Sequence, residues 1–531
     1  MTNERQYLEL HNGVFEVRGP AGAGKTYRLI QDVRELIKSG RRCTLISFSN
    51  AAVDELKLRI GSDGVKVSTI HSFSWSLISP LISTLLRDPK QLVEFKPYAM
   101  TASDNEVTWD LVNKVVYDSG VPFFNAEQGI LSLGHDDVLD LLQFFLSEMP
   151  IIVKLIANSM DVLIIDEYQD TNRYFLQTLL KKLRESVLIG LYGDPCQTIY
   201  ISDLGSPSLN NMLDDSKAYH VTLTNNFRSD SKLVTYFNKV RHPFDGISQL
   251  PVSTHISEEV HLVVGDGQLS DSVRNKIIDK FSLKHSMTLS STNYLALSAV
   301  GQGEIGKRVR ANINSFRKAN NQHAWQWNEF LTVDPMTPEL TVINEIGELF
   351  SGQGYRQTQA VKKCFTMESI SRVGVSNLDR LINYASSEQT QHMKEYFESG
   401  GLVWKDSAAE FISLLEANGV EFAKSINAFI DRLRKLNDST TVFQSKGREF
   451  DDVILNVDTG KYYAYNWDKI NFENSQTSGL TQSAKVFFLF YVGITRAKEK
   501  LVIYVNNESN SSFLEKIQKY TDLSQISFSD L

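Results

Sequence analysis

Two short stretches hold residue types at spacings that suit phosphate chemistry. GPAGAGKT (19–26) fits G-x-x-x-x-G-K-S/T, with Gly19, Gly24, Lys25 and Thr26 at the fixed positions. A loop of this composition (Gly19, Pro20, Ala21, Gly22, Ala23, Gly24) curls backbone N–H groups around phosphate oxygens without Cβ clashes. Lys25 supplies a point charge to the β and γ phosphates, the Thr26 hydroxyl suits a Mg²⁺ ligand, and Tyr27 follows directly. The second stretch is VLIIDEYQD (162–170), whose apolar run delivers Asp166 and Glu167 to the end of a buried strand. Asp166 suits Mg²⁺, held through water, and Glu167 suits the orientation and deprotonation of an attacking water. Alone, such an acidic turn is as readily an exposed bend. Beside a phosphate loop it implies hydrolysis of ATP.

The elements around these residues read as parallel α/β. GVFEV (13–17) precedes the Gly-rich turn and a helical pattern runs to Lys38. CTLISF (43–48), VKVSTI (65–70), DVLIID (161–166), SVLIGLYGD (186–194) and HVTLT (220–224) are strand-like and alternate with helical segments. A second alternation holds EVHLVVG (259–265), MTLSS (287–291), VFQSKGREFDDVILNV (442–457) and KLVIYV (500–505). Between these cores, about 75–155 and 303–438 read as mostly helical. The polar stretch 466–483 reads as a mobile loop.

Further elements then fall into one order. ISFSNAAVDELKLRI (46–60), STIHSFS (68–74), DEYQDTN (166–172), GDPCQTIY (193–200), LTNNFRS (223–229), QSKGREFDDVIL (444–455) and FYVGITRAKEKLVI (490–503) follow the phosphate loop. Together they resemble the motif set of the UvrD/Rep-like helicases of superfamily 1. The resemblance implies an α/β fold of two RecA-like P-loop NTPase lobes with parallel sheets, each interrupted by a mostly helical insertion. The lobes would be 1–74 with 156–222, and 223–302 with 439–531; the insertions would be 75–155 and 303–438. It implies that Gln197 senses the γ-phosphate or the attacking water, that Arg228 and Arg496 act as arginine fingers, and that Glu449 contacts the ribose where Gly447 lets the backbone approach. It also implies a single-strand track at Phe48, Ser49, Asn50, Thr69, His71, Phe73 and Tyr200. There, small polar groups hold phosphates and aromatic faces stack on bases. For His71 and Phe48 the competing reading is core packing. Stacking and phosphate contacts tolerate both sugars, so these residues do not separate DNA from RNA.

Two departures from the family pattern stand out. Gln6 is the available counterpart of an adenine-reading glutamine, in a shortened lead-in. After Tyr200 the chain reads ISDLGS (201–206), where the family has an aromatic followed by Arg-Gly-Ala, so weakened strand separation is expected. Trp325 and Trp327, in a helical region, read as core. The 35 residues after Arg496 leave no room for an appended nuclease domain. Two functions of different class remain. One is a solitary ATP-driven motor on single-stranded or tailed duplex DNA, moving 3′-to-5′ as the resemblance implies. The other is an ATP-gated DNA sensor controlling a separately encoded nuclease, as in antiphage systems such as Gabija. A kinase or GTPase sharing the phosphate loop does not account for NNFRS or FYVGITRAK.

The composition narrows the setting. A chain of 531 residues with 42% hydrophobic and 22% charged residues is globular in type, of three or four domains at roughly 150 residues each. Three scattered cysteines offer neither a disulfide framework nor an iron–sulfur site and fit a reducing, cytoplasmic setting. VFFLFYVGI (486–494) is half a membrane span. The net charge of −8 argues against binding nucleic acid by bulk charge. DNA affinity should therefore fall with salt on a shallow log–log slope, each neutralised phosphate contributing about 0.9 or less. Anisotropy titrations across salt concentrations measure it, and a slope needing ten contacts would contradict a narrow track.

Overall fold

The computed structural model describes residues 3–61, 64–101, 107–117, 122–200, 206–253, 260–301, 303, 438–459, 466–473, 480–521, 523 and 525–527. Contacts divide the chain into two compact units. Unit 1 comprises Met1–Arg228, Phe244–Ser253 and Glu473–Phe488; unit 2 comprises Ser229–Pro243, Thr254–Phe472 and Leu489–Leu531.

Unit 1 begins with β1 (Gly13–Arg18), α1 (Lys25–Lys38), β2 (Cys43–Ser47), α2 (Asn50–Ile60), β3 (Val65–Thr69) and α3 (Ile70–Leu85). The short α4 (Tyr98–Thr101), β4 (Lys114–Tyr117), β5 (Phe123–Asn125), β6 (Ile130–Leu133), α5 (His135–Glu148) and α6 (Pro150–Ser159) follow. Then come β7 (Val162–Asp166), α7 (Arg173–Leu183), β8 (Leu188–Gly193), α8 (Leu209–Asp215), β9 (Tyr219–Thr222), β10 (Asn225–Asn226) and β11 (Leu250–Pro251). The main sheet is parallel throughout, in the order β3-β2-β7-β8-β1-β9. Every residue of β2, β7 and β8 is buried, as strands covered on both faces must be, whereas edge strands β3 and β9 are partly exposed. Successive residues feed opposite faces. Leu163, Ile165, Ile189 and Leu191 join a core with α3, α5 and α7, while Val162, Ile164, Leu188 and Phe15 pack with Leu29, Val33 and Leu36 of α1.

The stretch 75–155, expected to be mostly helical, also carries a three-stranded sheet of β4, β6 and β5. Its strands are three or four residues long, too short for an alternating pattern to stand out. The supposedly mobile 466–483 is anchored at its start, because Trp467, Ile470 and Phe472 are buried and the Trp467 indole donates to the Asp458 carbonyl at 3.2 Å. Its polar composition hides those three anchors. The predicted insertion 303–438 lies almost entirely outside the described residues.

Unit 2 contains most of α9 (Ser231–Asp245), then β12 (His261–Gly265), α10 (Asp271–Lys280), β13 (Ser286–Ser290), α11 (Asn293–Ser298), β14 (Ser439–Thr441) and β15 (Phe450–Val457). After α12 (Gln482–Ile494) come β16 (Ala497–Asn506), α13 (Ser511–Thr521) and β17 (Gln525–Ser527). Its sheet is also parallel, ordered β14-β13-β15-β16-β12-β17. The apolar run of α12 is buried all along 486–492, the mark of a helix inside protein. Among the described residues no helix is long and apolar enough to cross a membrane.

Within the first sheet Gly190 on β8 packs closely against Phe15 on β1: a Cβ there would lie 2.4 Å from the Phe15 ring. Gly190→Val should lower unfolding stability by about 1–3 kcal/mol. Urea denaturation measures it, and an unchanged midpoint would mean that the ring has room to retreat.

Candidate functional site

The phosphate loop leaves β1 at its C-terminal end and feeds α1. Gly22 and Gly24 both have φ of +76°, the left-handed region that suits glycine, and Gly24 caps the helix N-terminus without a side chain. The turn is closed by Gly19 N–H donating to the Gly193 carbonyl (2.9 Å) and Ala23 N–H to that of Pro20 (3.1 Å). A second segment braces it. Asn226 Nδ2 and Gln249 Nε2 both donate to the Ala21 carbonyl, at 3.1 and 3.0 Å, and Phe227 N–H donates to that of Gly22 at 2.8 Å. Arg228 lies in the same segment, and a Cβ on Gly22 would stand 2.8 Å from the Arg228 Cβ. Tyr27 and Phe227 expose most of their side chains, and a Cβ on Gly24 would meet the Phe227 ring at 3.5 Å. Helix α1 carries a buried carboxylate, Asp32. The hydroxyls of Tyr7 and Tyr192 donate to it at 2.6 and 2.8 Å, so the segment Asn3–Glu9, with Gln6, is tied to the helix that follows the loop.

The acidic turn meets the loop. Lys25 Nζ is 3.3 Å from Glu167 Oε1. Glu167 has φ of +48°, unusual for a residue with a Cβ and a local strain that its partners must hold. Gln169 Nε2 donates to the Glu167 carboxylate, Asp194 N–H donates to Gln169 Oε1 (3.1 Å), and Gln197 Nε2 donates to Asp194 Oδ2 (2.9 Å). Lys25, Glu167 and Gln197 thus stand in one polar chain whose middle members, Gln169 and Asp194, are fully buried. Motif roles alone passed over these two; the glutamine of D-E-x-Q-D was the available signal. Asp166 ends β7 with Ser47 Oγ donating to its Oδ2 at 3.4 Å, while its buried Oδ1 has no hydrogen-bond partner. Burial, then the neighbouring Glu167 charge, push this carboxyl up to about 7, against the pull of Lys25. An orphaned buried oxygen on a carboxyl that feels the Lys25 charge of the phosphate loop fits a divalent cation.

In unit 2, Gly447 has φ of +79° in the turn before β15, and Glu449 is exposed with Lys498 Nζ at 3.5 Å. The Arg496 guanidinium is 2% exposed and donates to the carbonyls of Val492 (3.1 Å) and Arg448 (3.2 Å).

The residues expected on the strand track divide. Phe48 and Tyr200 come together as a stacked pair, ring centroids 5.2 Å apart and planes 12° off parallel. Ser49 and Thr69 are N-caps, accepting from the N–H groups of Ala52 and Ser72, so Ser49 and Asn50 lie at the start of α2 and Thr69 and His71 at the start of α3. Two helix N-termini at the C-terminal ends of adjacent strands are suited to phosphates. His71 packs on His135, ring centroids 4.3 Å apart, and burial first, then His135, lower it to about 4. Phe73 needs correction: it is buried in the core that α3 shares with α5, and its ring is packing. The altered segment after Tyr200 and both Trp325 and Trp327 lie outside the described residues, Ser206 excepted.

Residues 3–203 match the AAA domain family and residues 269–508 match the UvrD-like helicase C-terminal domain. Gabija protein GajB of Bacillus cereus strain HuB5-5 is 20% identical over 92% of either chain, and that of strain VD045 is 21% identical over 98% of this chain and 99% of its own. The ATP-dependent DNA helicase Rep of Buchnera aphidicola subsp. Schizaphis graminum is 23% identical over 52% of this chain and 49% of its own.

A carboxyl raised above its unfolded value favours the fold at low pH, and that contribution is lost as pH rises through about 7. Asp166→Asn should therefore raise the melting temperature of the metal-free protein at pH 8 and much less at pH 5. Equal gains at both pH values would refute the charge argument.

Proposed function

Because the chain belongs to the UvrD/Rep-like helicases of superfamily 1, we propose that it is a motor that hydrolyses ATP to move along single-stranded DNA, in the 3′-to-5′ direction that the family resemblance implies. The observation that carries the reading is the polar chain from Lys25 through Glu167, Gln169 and Asp194 to Gln197. Lys25 neutralises charge on the β and γ phosphates. Glu167, held by Gln169, orients the attacking water and takes its proton, and Gln197 reports the γ-phosphate through the same chain. Thr26 and Asp166 would hold Mg²⁺, which when bound screens the phosphate oxygens. Arg228, beside Gly22, stabilises charge on the transferring phosphoryl group. Arg496, Gly447 and Glu449 keep the roles their motifs imply. Ser49, Asn50, Thr69 and His71 hold the strand's phosphates, and the Phe48–Tyr200 stack offers its face to bases.

A second reading has its own support. The two relatives named Gabija protein GajB match nearly end to end, whereas the Rep match spans about half of either chain. They favour a compact, DNA-sensing ATPase that controls a partner nuclease in antiphage defence and unwinds little on its own.

Steady-state ATP turnover, with and without a single-strand-tailed duplex, tests both. Strong stimulation by DNA supports the motor; turnover that DNA leaves unchanged or suppresses supports the gated subunit. In either case Lys25→Ala and Glu167→Gln should lower turnover by about 100-fold or more while leaving the melting temperature near that of wild type. Undiminished turnover in both variants would overturn the assignment.

A further inference from the structure

Glu16 sits in the middle of β1, 1% exposed, where a strand covered on both faces ordinarily holds an apolar side chain. A buried carboxylate is costly unless both its oxygens are paired. Here they are. The Tyr168 hydroxyl donates to Oε1, Arg18 Nε lies 3.1 Å from the same oxygen, and His220 Nδ1 is 2.7 Å from Oε2.

Each partner belongs to a different part of the nucleotide site. Tyr168 directly follows Glu167 and is fully buried in the turn that holds Glu167 in its left-handed conformation. His220 faces Glu16 in the parallel register of β9 on β1, and the chain then runs directly into the Asn226–Arg228 brace. Leu223 N–H donates to the Arg18 carbonyl at 2.8 Å, keeping that run on β1. Arg18 is the last residue of β1 before Gly19, and its Nη2 is held by Asn210 Oδ1 at 3.1 Å.

We propose that Glu16 is a positioning residue for ATP hydrolysis: its carboxylate, held between Tyr168 and His220, keeps the acidic turn and the Asn226–Arg228 brace in register with the phosphate loop. This rests on the ATPase reading above and adds a residue outside every nucleotide motif of the chain. It also gives the site a dependence on proton concentration. The charged groups facing His220 are Glu16 and Arg18 of β1 and Asp214 of α8, and the hydrogen bond to Glu16 is the largest influence, raising the imidazole above its ordinary value. Burial by itself would raise the Glu16 carboxyl, but His220, Arg18 and Tyr168 hold it below its ordinary value, so it is ionised at neutral pH. The imidazolium–carboxylate pair is complete below the raised value of His220 and loses its charge as pH rises through it. Turnover should fall on that alkaline side.

The test is DNA-stimulated ATP turnover across pH 6 to about 9 for wild type, Glu16→Gln, Tyr168→Phe and His220→Ala, with melting temperatures alongside. Glu16→Gln and Tyr168→Phe should lower kcat about tenfold with KM for ATP within about twofold, and His220→Ala should lose the alkaline fall in kcat. If Glu16→Gln does not fold, Tyr168→Phe, which removes a single hydroxyl, carries the comparison. Wild-type kcat in the folded variants, or an alkaline fall that persists in His220→Ala, overturns the positioning role while the ATPase reading stands. A wild-type protein without ATP turnover overturns both.

Discussion

Lys25 and Glu167 stand 3.3 Å apart at the C-terminal edge of a parallel sheet, and much of unit 1 serves to hold that ammonium and that carboxylate in place. They come from β1 and β7, which are not neighbours: β8 lies between them. The register of three parallel strands therefore sets how closely the loop after one and the turn after another approach. Uniformly buried strands make that register hard to slip, because a shift by one residue would turn each apolar side chain to the wrong face.

Around the pair, polar groups are buried in numbers that a core tolerates only when they are matched. Asp32, Glu16, Gln169 and Asp194 each meet hydrogen-bond donors or acceptors from other elements. Networks of this kind are rigid because every broken bond strands a desolvated partner. Asp166 differs from these four, one oxygen paired and the other orphaned, and it stands where a cation and a triphosphate would supply what is missing. The left-handed Glu167 belongs to the same economy: a strained backbone persists because Gln169 and the buried Tyr168 hold the turn on both sides.

The strand-contact residues follow a simpler logic. Ser49 and Thr69 cap their own helices at the C-terminal ends of β2 and β3, and Phe48 and Tyr200 stack on one another. Phe73, three residues into the next turn of α3 from Ile70, falls instead on the face that packs against α5. Helical periodicity makes a motif position such as this one an element of packing.

Strand alternation, the phosphate loop and the acidic turn were legible in the residues, because apolar runs of five or six between Gly-rich turns have few folded alternatives and because Gly-Lys-Thr after a strand is rare by accident. The three short strands of 114–133 and the anchoring of Trp467 were not, since both depend on partners distant in the chain rather than on a local period. The same holds within the site. Local sequence names Lys25, Asp166, Glu167 and Gln197, each inside its own motif, but Gln169, Asp194, Asn226 and Gln249 gain meaning only when β1, β7 and β8 are side by side and the segment after β9 folds back on the loop. Arg496 is alike: its motif marks it as a charge for phosphate, and only the fold shows that the carbonyls of Val492 and Arg448 hold its guanidinium. Residue type and spacing settle which chemistry is available; burial and hydrogen-bond partners, which no local stretch contains, settle where each charge is held.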